Sequence, residues 1–275
     1  MKKSILFSTF LILGISCSNQ FLEEDTNNTP QENFNILWED FDKHYGLFSV
    51  RNHNWDSIYN AHSSLISSQT SDEELWDNFK EIIEYLDDSH VFIYDPFNDI
   101  EFYSGSEEDD QVEEEFSLSL IKNSYLEYHE NILPNVLIGK LKNKNIGYLY
   151  LNDFEIENTN FMNQVILKSQ DYSALIIDIR NNTGGIDEIG QEIAGRFADE
   201  ERFLYSVQTR NGDNHDDFTS KTNYYSKVIG EQQFTNPVIV LTDKITVSTA
   251  EVFLTYMKSF PNVTQIGDTT AGDFS

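Results

Sequence analysis

The most restrictive feature of this sequence is the alternation of apolar strands and amphipathic helices after residue 136. Val136–Leu141 and Ile146–Leu151 predict a β-hairpin around a Lys-Asn-Lys-Asn turn. Two continuous apolar runs, Ala174–Ile179 and Pro237–Thr242, predict buried strands, and each is followed by a helical pattern. Val263–Ile266 predicts one more strand. Strands that alternate with helices form a mostly parallel sheet with helices on its faces, so the sequence predicts an α/β fold.

The N-terminal part of the chain is predicted to be helical. Thr29-Pro30-Gln31-Glu32 combines a capping box with proline at the first helical position. Ser71–Glu74 repeats the capping box before a second amphipathic stripe, and a shorter helix is predicted over Trp55–Ile66. The periodicity changes to that of a strand at Val91–Tyr94, so His90 is expected at the junction between helix and strand.

The chain is strongly acidic, with 47 Asp and Glu residues against 18 Lys and Arg and a net charge of −29. Such a surface repels phosphate backbones, which excludes nucleic-acid binding as a function. Nine of the acids, with no Lys or Arg between them, lie in Asp99–Glu115. This run predicts a solvated loop rather than a calcium or partner site. We therefore expect a helical subdomain over residues 30–98, an acidic connector over 99–135 and an α/β core over 136–275.

The first residues have the layout of a secretory signal. Two lysines precede the apolar run Ile5–Ile15, which is too short for an ordinary membrane span. Leu13–Cys17, which ends in the single cysteine, resembles a bacterial lipoprotein signal. The resemblance implies a signal peptide over residues 1–16, lipidation of Cys17, a polar tether over residues 17–29, and anchoring in the cell envelope through that lipid alone. A plain signal peptide with an incidental cysteine is the alternative.

Ser248 stands where a predicted strand passes into a predicted helix. A serine at such a turn can present its hydroxyl beside the free N–H groups that begin the helix, including that of Thr249, and this arrangement stabilises an oxyanion. Ser248-Thr249-Ala250-Glu251 is also a capping box, in which the serine only satisfies an N–H group. The tetrapeptide by itself favours the cap.

Asn181–Gly185 follows the other buried strand and offers a similar choice. Gly184 and Gly185 permit positive φ and leave backbone N–H groups unshielded, which suits a tight turn and equally suits anion binding. A nucleotide loop is disfavoured, because neither a Gly-Lys-Ser/Thr sequence nor Gly-x-Gly-x-x-Gly spacing is present.

Four blocks of the sequence resemble, in order, those of the tail-specific or C-terminal processing serine peptidases. They are Ile146–Leu151, Ala174–Gly185, Val238–Glu251 and Ile266–Gly272. Upstream, Asp88-Ser89-His90 resembles the Asp-x-His block that precedes the catalytic domain of this family. The resemblance implies a crotonase-like α/β core, a serine nucleophile, a peptide or protein substrate, and no metal or other cofactor.

Residue by residue, the resemblance makes Ser248 the nucleophile and builds its oxyanion hole from the N–H of Thr249 and that of Gly184 or Gly185. The tricorn-core branch of the family uses the histidine of a Ser-His pair as general base, and Ser89-His90 matches that pair. Histidine suits this work because its ordinary pKa lies near neutral pH. The resemblance implies that His90 takes the serine proton and that Ser89 positions the water and histidine network.

The resemblance is incomplete towards the C-terminus. The processing-protease branch uses a lysine shortly after its Thr-x-Gly block, but Asp273 stands there and no lysine follows Lys258. An aspartate that pointed into the oxyanion hole would oppose the developing charge, and it cannot replace that lysine. In the tricorn-like branch a later glutamate orients the histidine, so we expect this acid beyond Ser275 and the chain to be C-terminally incomplete. Glu251 is too close to Ser248 along its helix to be assigned that role.

The other candidate features are weaker. The stretch between His90 and Val136 lacks the PDZ-like peptide-binding pattern of the family. His215-Asp216-Asp217 is a conceivable metal site without recognisable ligand spacing. The histidines that match no block are expected to be structural: His44, His53, His62, His129 and His215.

Three functions are compatible with these patterns. The leading hypothesis is a lipid-anchored serine peptidase that forms an acyl-enzyme on Ser248. The second is a catalytically silent relative that binds a peptide or apolar ligand in the same crevice, since the family lysine is missing. The third is an interaction lipoprotein whose acidic loop recruits a basic partner.

Overall fold

The computed structural model of the chain describes residues 28–105 and 116–273. The predicted signal peptide and Cys17 lie outside the described residues, as does most of the acidic run. Within the described residues, every helix is too short or too polar to cross a bilayer.

The N-terminal unit is helical, as predicted. It contains α1 (Pro30–His44), α2 (Trp55–His62), a 3₁₀ turn over Ser63–Leu65, and α3 (Asp72–Glu84). Both predicted N-terminal caps are present: the Thr29 hydroxyl accepts from the Glu32 amide, and Ser71 and Glu74 form a reciprocal capping box. The prediction over Trp55–Ile66 is confirmed as a helix that tightens in its last turn.

Aromatic side chains form the core of this helical unit. Phe34, Phe48 and Trp55 are almost fully buried, and they pack with Ile82 and Ile83 of α3. The Trp38 and Trp55 rings are stacked, and each indole N–H donates to the backbone carbonyl of the other tryptophan. The predicted apolar stripes are therefore core surfaces, and the unit has a hydrophobic core of its own.

A two-stranded hairpin follows α3. Its strands are β1 (Phe92–Asp95) and β2 (Ile100–Tyr103), which pair antiparallel. His90 lies in the turn between Glu84, the end of α3, and β1, so its predicted junction position is confirmed.

The remainder of the chain forms the α/β core. After a short helical segment over Leu118–Tyr125, its elements are β3 (Leu126–Leu133), β4 (Val136–Leu141), β5 (Ile146–Leu151), α4 (Phe161–Ser169), β6 (Ala174–Asp178), α5 (Asp187–Ala194), β7 (Phe203–Val207), β8 (Thr222–Tyr225), β9 (Val238–Thr242), α6 (Thr249–Lys258) and β10 (Val263–Gly267). The central sheet has the order β10-β9-β6-β5-β4-β3, and β10, β9, β6 and β5 are mutually parallel. The predicted β4–β5 hairpin is confirmed, and the sheet is mixed, because β3 and β4 pair antiparallel at one side of the four parallel strands.

The acidic connector predicted over residues 99–135 is not only a connector. It contains β2, and it contains β3, which pairs antiparallel with β4 and forms one edge of the central sheet. Most side chains of β3 are exposed, so its sequence lacks the apolar alternation that identifies a half-buried strand. Its main-chain pairing with β4, rather than side-chain burial, makes this segment a strand.

The two faces of the sheet are buried differently. Leu149 and Leu151 of β5 point to the main core, where α4, α5 and α6 cover the sheet. The alternate residues Tyr148 and Tyr150 point to the opposite face and pack with the segment around Phe116. Leu149 is fully buried, so its truncation to alanine would cost about 2–5 kcal/mol of stability.

The loop between β7 and β8 fastens the helical unit to the α/β core. The Arg210 guanidinium donates to the carbonyl oxygens of Tyr45 at 2.9 Å and Asp42 at 3.1 Å, at the C-terminal end of α1. His215 Nε2 lies 2.7 Å from Asp42 Oδ1, and its ring packs on Phe48. This contact joins two parts of the fold, and it gives His215 the structural role that the sequence predicted.

Candidate active site

Ser248 lies at the carboxyl edge of the sheet, where the loops after two neighbouring parallel strands are tied together. The Thr246 hydroxyl donates to the Ile179 carbonyl oxygen at 3.0 Å, and the Val247 amide donates to the Asn182 carbonyl oxygen at 3.1 Å. These bonds hold the loop after β9 against the loop after β6. Ser248 and the Gly184–Gly185 pair are thereby brought to one crevice, as expected for a parallel α/β sheet.

The backbone of Ser248 has an unusual conformation. Its φ is 59° and its ψ is −126°, outside the regions that residues with a side chain ordinarily adopt. Such a conformation costs about 1–3 kcal/mol and persists only when its surroundings impose it. The Ser248 amide lies 3.2 Å from the Asp273 carbonyl oxygen and 3.2 Å from Glu251 Oε2. The turn thus presents the serine at the start of α6.

His90 and Ser248 meet in this crevice although they are 158 positions apart. His90 Nε2 lies 3.5 Å from Ser248 Oγ, and the imidazole is 40% exposed. The His90 amide donates to Asp88 Oδ1 at 3.1 Å, which fixes the turn that carries the ring. A separation of 3.5 Å is long for a hydrogen bond, yet bonds of this kind are commonly long before substrate binds.

Asp273 contacts the other ring nitrogen of His90. Its Oδ1 lies 3.3 Å from His90 Nδ1, and its Oδ2 accepts hydrogen bonds from the Ser89 amide, at 2.7 Å, and from the Ser89 hydroxyl. Among the described residues, Asp273 is thus the acid nearest to His90 Nδ1, and the glutamate expected beyond Ser275 stays a prediction. The Asp273 carboxylate contacts Nδ1, whereas Ser248 faces Nε2, so the imidazole has the acid and the serine on different ring nitrogens.

The segment that carries Asp273 is held by a buried glutamate on α6. Glu251 Oε1 accepts from the Thr270 hydroxyl at 2.7 Å and the Gly272 amide at 2.8 Å, and Oε2 accepts from the Asp273 amide at 2.9 Å. Together with the Ser248 amide, four donors converge on one carboxylate that is 3% exposed. Glu251 therefore links the serine turn to the aspartate segment.

The surroundings of Asp273 favour its ionised form. Burial opposes ionisation, but the hydrogen bonds from Ser89 and the charge of His90 outweigh it and hold the pKa of Asp273 below its ordinary value of 3.8. Asp273 is therefore a carboxylate at neutral pH, and it favours the His90 tautomer that carries hydrogen on Nδ1 and leaves Nε2 free to accept the proton of Ser248.

The candidate donors of the oxyanion hole differ in whether their amides are already bonded. The Gly184 amide donates to Asn182 Oδ1 at 2.9 Å and is therefore engaged. Across residues 28–105 and 116–273, no hydrogen bond joins the amide of Gly185 or that of Thr249 to another protein group. Of the two glycines considered for the oxyanion hole, Gly185 has the available donor.

Gly184 is required for a different reason: a side chain at this position would collide with Ser248. A Cβ atom on Gly184 would lie 2.8 Å from Ser248 Cβ and 3.1 Å from the Thr249 amide nitrogen. A side chain there would fill the position in front of the start of α6. Its φ of 93° also favours glycine.

Among the residues that the structure describes, the arrangement most like a metal site consists of Asp88, His90 and Asp273. One ligand atom of each lies within 4.8 Å of the others. Both oxygens of Asp273 are already engaged, Oδ2 by Ser89 and Oδ1 by the Arg51 guanidinium at 3.3 Å, and that cation would repel a metal ion. We therefore do not assign these residues as metal ligands.

Sequence reasoning missed Asp273 and Arg51 at this site. Asp273 stands where the family pattern has lysine, and no feature of the local sequence indicates that it faces a histidine. Arg51 lies in the loop between α1 and α2 and matches no motif. Its contact with Asp273 spans 222 positions, so only the folded chain brings the two together.

Two families of known sequences match the chain. Peptidase family S41 matches residues 145–275, and the tricorn protease C1 domain matches residues 26–84. The two segments together make up more than half of the chain. The first contains Ser248 and Asp273, and the second contains Arg51 and ends before His90.

Curated relatives are carboxy-terminal processing proteases. CtpA of Bacillus subtilis (strain 168) is 25% identical over 165 residues, which cover 59% of this chain and 34% of the relative. The carboxyl-terminal-processing protease of a Picosynechococcus species is 31% identical over 150 residues, which cover 52% of this chain and 33% of the relative. The matched segments thus span about a third of the length of these relatives.

Solved structures resemble almost all of the described fold. A candidate peptidase from Parabacteroides merdae has a TM-score of 0.81 and 26% identity, and the match covers 90% of this chain and 78% of that chain. Mature CPAF has a TM-score of 0.61 at 10% identity, with 89% of this chain and 84% of that chain covered, which shows the fold alone. Residues 145–275 thus match peptidase family S41, and the curated relatives and structural neighbours support a place for this chain among the carboxy-terminal processing proteases.

Proposed function

We propose that this chain is a serine peptidase in which Ser248 is the nucleophile, His90 the general base and Asp273 the acid that orients His90. One observation carries the proposal: the Ser248 hydroxyl and the His90 imidazole converge at 3.5 Å, with a carboxylate on the far side of the ring. The family match supports a peptide or protein substrate. We further propose that the α/β core is of the crotonase type.

The reaction begins with attack by Ser248 Oγ on the carbonyl carbon of the scissile peptide bond. His90 Nε2 accepts the hydroxyl proton, and Asp273 stabilises the imidazolium that forms. The negative charge on the carbonyl oxygen is stabilised by two backbone amides. One belongs to Gly185, in the loop before α5, and the other to Thr249, the first residue of α6. Loss of one such donor typically costs about 100- to 1,000-fold in rate.

Collapse of the tetrahedral intermediate breaks the C–N bond. His90 returns the proton to the leaving amine, and the acyl group stays on Ser248 as an ester. A water molecule then attacks the ester while His90 takes one of its protons. The C–Oγ bond breaks, His90 reprotonates the serine, and the new carboxylic acid leaves. The whole cycle is hydrolysis, and it regenerates the protein unchanged.

The decisive experiment is labelling with a fluorophosphonate, which reacts with activated serines. We expect one adduct on Ser248 in the parent protein and none in Ser248→Ala. Ser259→Ala is the matched control, because the Ser259 hydroxyl is bonded to the Tyr256 carbonyl oxygen at the other end of α6, and its labelling is expected to be normal. A folded parent protein without a Ser248 adduct would contradict the proposal. Peptide binding that persists in Ser248→Ala, with no turnover by the parent, would instead select the catalytically silent alternative.

We also propose that the mature chain is anchored in the cell envelope through a lipid on Cys17. The support is the lipoprotein-like sequence Leu13–Cys17. Metabolic labelling with an alkyne fatty acid is expected to mark the parent protein, and Cys17→Ser is expected to abolish the mark and release the chain from membranes. Equal labelling of both proteins would refute the anchor.

A further inference from the structure

Arg51 brings a permanent positive charge to the candidate active site from the helical unit. Its Nη2 lies 3.3 Å from Asp273 Oδ1, and its Nη1 lies 3.6 Å from Asp87 Oδ2. The side chain is 21% exposed, so water screens the contact only in part. The Arg51 amide donates to the Leu47 carbonyl oxygen at 2.9 Å, which fixes the loop that carries it.

Acidic groups surround this cation and the neighbouring histidine. His90 Nδ1 faces two buried carboxylates, Asp273 at 3.3 Å and Asp88 at 3.8 Å. Glu251 lies behind the backbone of Asp273, and Asp87 lies on the solvent side of Arg51. In the described part of the chain, Arg51 is the one Lys or Arg side chain that forms an ion pair with any of these four acids.

Tyr45 does not relieve this negative charge. Its hydroxyl donates to Asp88 Oδ2 at 2.8 Å, and burial together with that hydrogen bond raises the pKa of Tyr45 above its ordinary value. Tyr45 therefore stays a neutral donor and adds no positive charge beside the two carboxylates.

A pair of carboxylates beside an imidazole affects its work as a general base in two opposing ways. They orient the ring, but they also stabilise its protonated form, which cannot accept a proton from serine. A fixed cation in contact with one of the carboxylates reduces this stabilisation. It also holds Asp273 Oδ1 in place between the guanidinium and the imidazole.

We propose that Arg51 is a positioning residue that fixes the Asp273 carboxylate against the His90 imidazole and offsets the negative charge beside this base. The inference rests on the proposed function, since it concerns the base of that reaction. Under this proposal the helical unit contributes Arg51 to the candidate active site in addition to His90. Arg51 also explains how a site with several buried acids and no lysine can retain a usable base.

The test compares Arg51→Gln, Arg51→Lys and the parent protein in the pH dependence of kcat/KM for a peptide substrate. In Arg51→Gln we expect the acid limb of the profile to move to higher pH by about one unit. For a base near the ordinary histidine pKa of about 6.5, activity then falls about threefold at pH 7, approaches a tenfold loss at more acid pH, and largely returns above pH 8.5. Arg51→Lys keeps the charge, so its acid limb should stay near that of the parent. A purely structural role would lower the whole profile without moving it, and that result would overturn the proposal.

Arg202→Gln is the matched control. Arg202 is also paired with acids, Asp199 and Glu200, and is equally buried, but its partners lie before β7 and not at the site. The variant removes the same charge from the chain. We expect its pH profile to match that of the parent. A shift equal to that of Arg51→Gln would mean that net charge, rather than the position of Arg51, controls the base.

A second readout separates this inference from the proposed function. NMR titration of the His90 imidazole, assigned with His90→Gln, needs no activity and can be recorded in the Ser248→Ala background. We expect the His90 midpoint to be higher with Arg51→Gln than without it, and lower with Asp88→Asn. If the His90 midpoints are unchanged, the proposed role of Arg51 is wrong even if the protein is an active enzyme. If the midpoints shift but the protein shows no turnover, only the peptidase function is refuted. If Arg51→Gln does not fold, Arg51→Met, which keeps the aliphatic stem and removes the charge, gives the same comparison.

Discussion

The Glu251 carboxylate accepts a hydrogen bond from the Asp273 amide at 2.9 Å, so the helix that begins at the candidate nucleophile also holds the acid that faces the candidate base. The Ser248 amide also lies 3.2 Å from the Asp273 carbonyl oxygen, so the two segments are joined both directly and through Glu251. The buried Glu251 side chain therefore helps to set the relative positions of Ser248, His90 and Asp273.

The first prediction concerns Glu251→Gln. An amide nitrogen would replace one oxygen and face N–H or O–H donors instead of accepting from them, leaving buried donors unpaired. We expect the free energy of unfolding to fall by about 1–3 kcal/mol and kcat to fall more strongly than KM rises. Urea unfolding and steady-state kinetics measure the two effects.

Glu192→Gln is a suitable comparison for that variant, because the Glu192 carboxylate accepts from the Thr159 hydroxyl at an exposed position. Its stability and kinetics should be near those of the parent. Normal kcat in Glu251→Gln would mean that the Asp273 segment keeps its place without the glutamate.

The second prediction concerns Asp273→Asn. Asparagine preserves the shape of the side chain but no longer selects the His90 tautomer with a free Nε2. We expect kcat to fall by about 1,000- to 10,000-fold, as expected when the acid of such a triad is lost. The rate of fluorophosphonate labelling should fall with it. Activity within tenfold of the parent would show that His90 is oriented by another group.

The third prediction concerns Gly184→Ala. The added Cβ would lie 2.8 Å from Ser248 Cβ, and alanine is strained at a φ of 93°. We expect loss of activity together with a stability loss of about 1–3 kcal/mol. Thermal unfolding and the labelling rate are the measurements.

Gly272→Ala separates the two causes of that loss. Gly272 has a φ of 84°, but a Cβ there would meet no atom within 4 Å. We expect Gly272→Ala to lose stability through backbone strain while its serine stays accessible to the fluorophosphonate. Equal labelling by both alanine variants would refute the steric explanation for Gly184.

The fourth prediction concerns acid stability. Because the pKa of Asp273 is lowered in the folded protein, the ionised carboxylate stabilises the fold above its ordinary pKa of 3.8. This stabilisation is lost as the pH falls through the lower, folded-state value. We expect the difference in unfolding free energy between the parent and Asp273→Asn to shrink as the pH falls from 6 towards 3. Urea titrations across that range test it, and a difference independent of pH would contradict it.

Local signals in the sequence predicted much of the fold. The Thr29 and Ser71 hydroxyls accept from amides three positions away, and at Ser71 the full capping box is present, so helix starts could be identified without tertiary information. The apolar runs of β6 and β9 are buried on both faces in any parallel α/β sheet, which made them recognisable as strands. β3 was missed because it is an exposed edge strand whose identity depends on its partner.

The sequence by itself determined the chemistry available to this protein: a serine at a strand-to-helix turn, a glycine pair after the neighbouring strand, and a histidine before the first hairpin. Tertiary structure decided which charged groups accompany them. Arg51, His90 and Asp273 come from three distant segments, and their contacts depend on how the helical unit packs on the α/β core. Spacing along a chain reports neighbours within one element, whereas an ion pair across 222 positions exists only once the elements have packed.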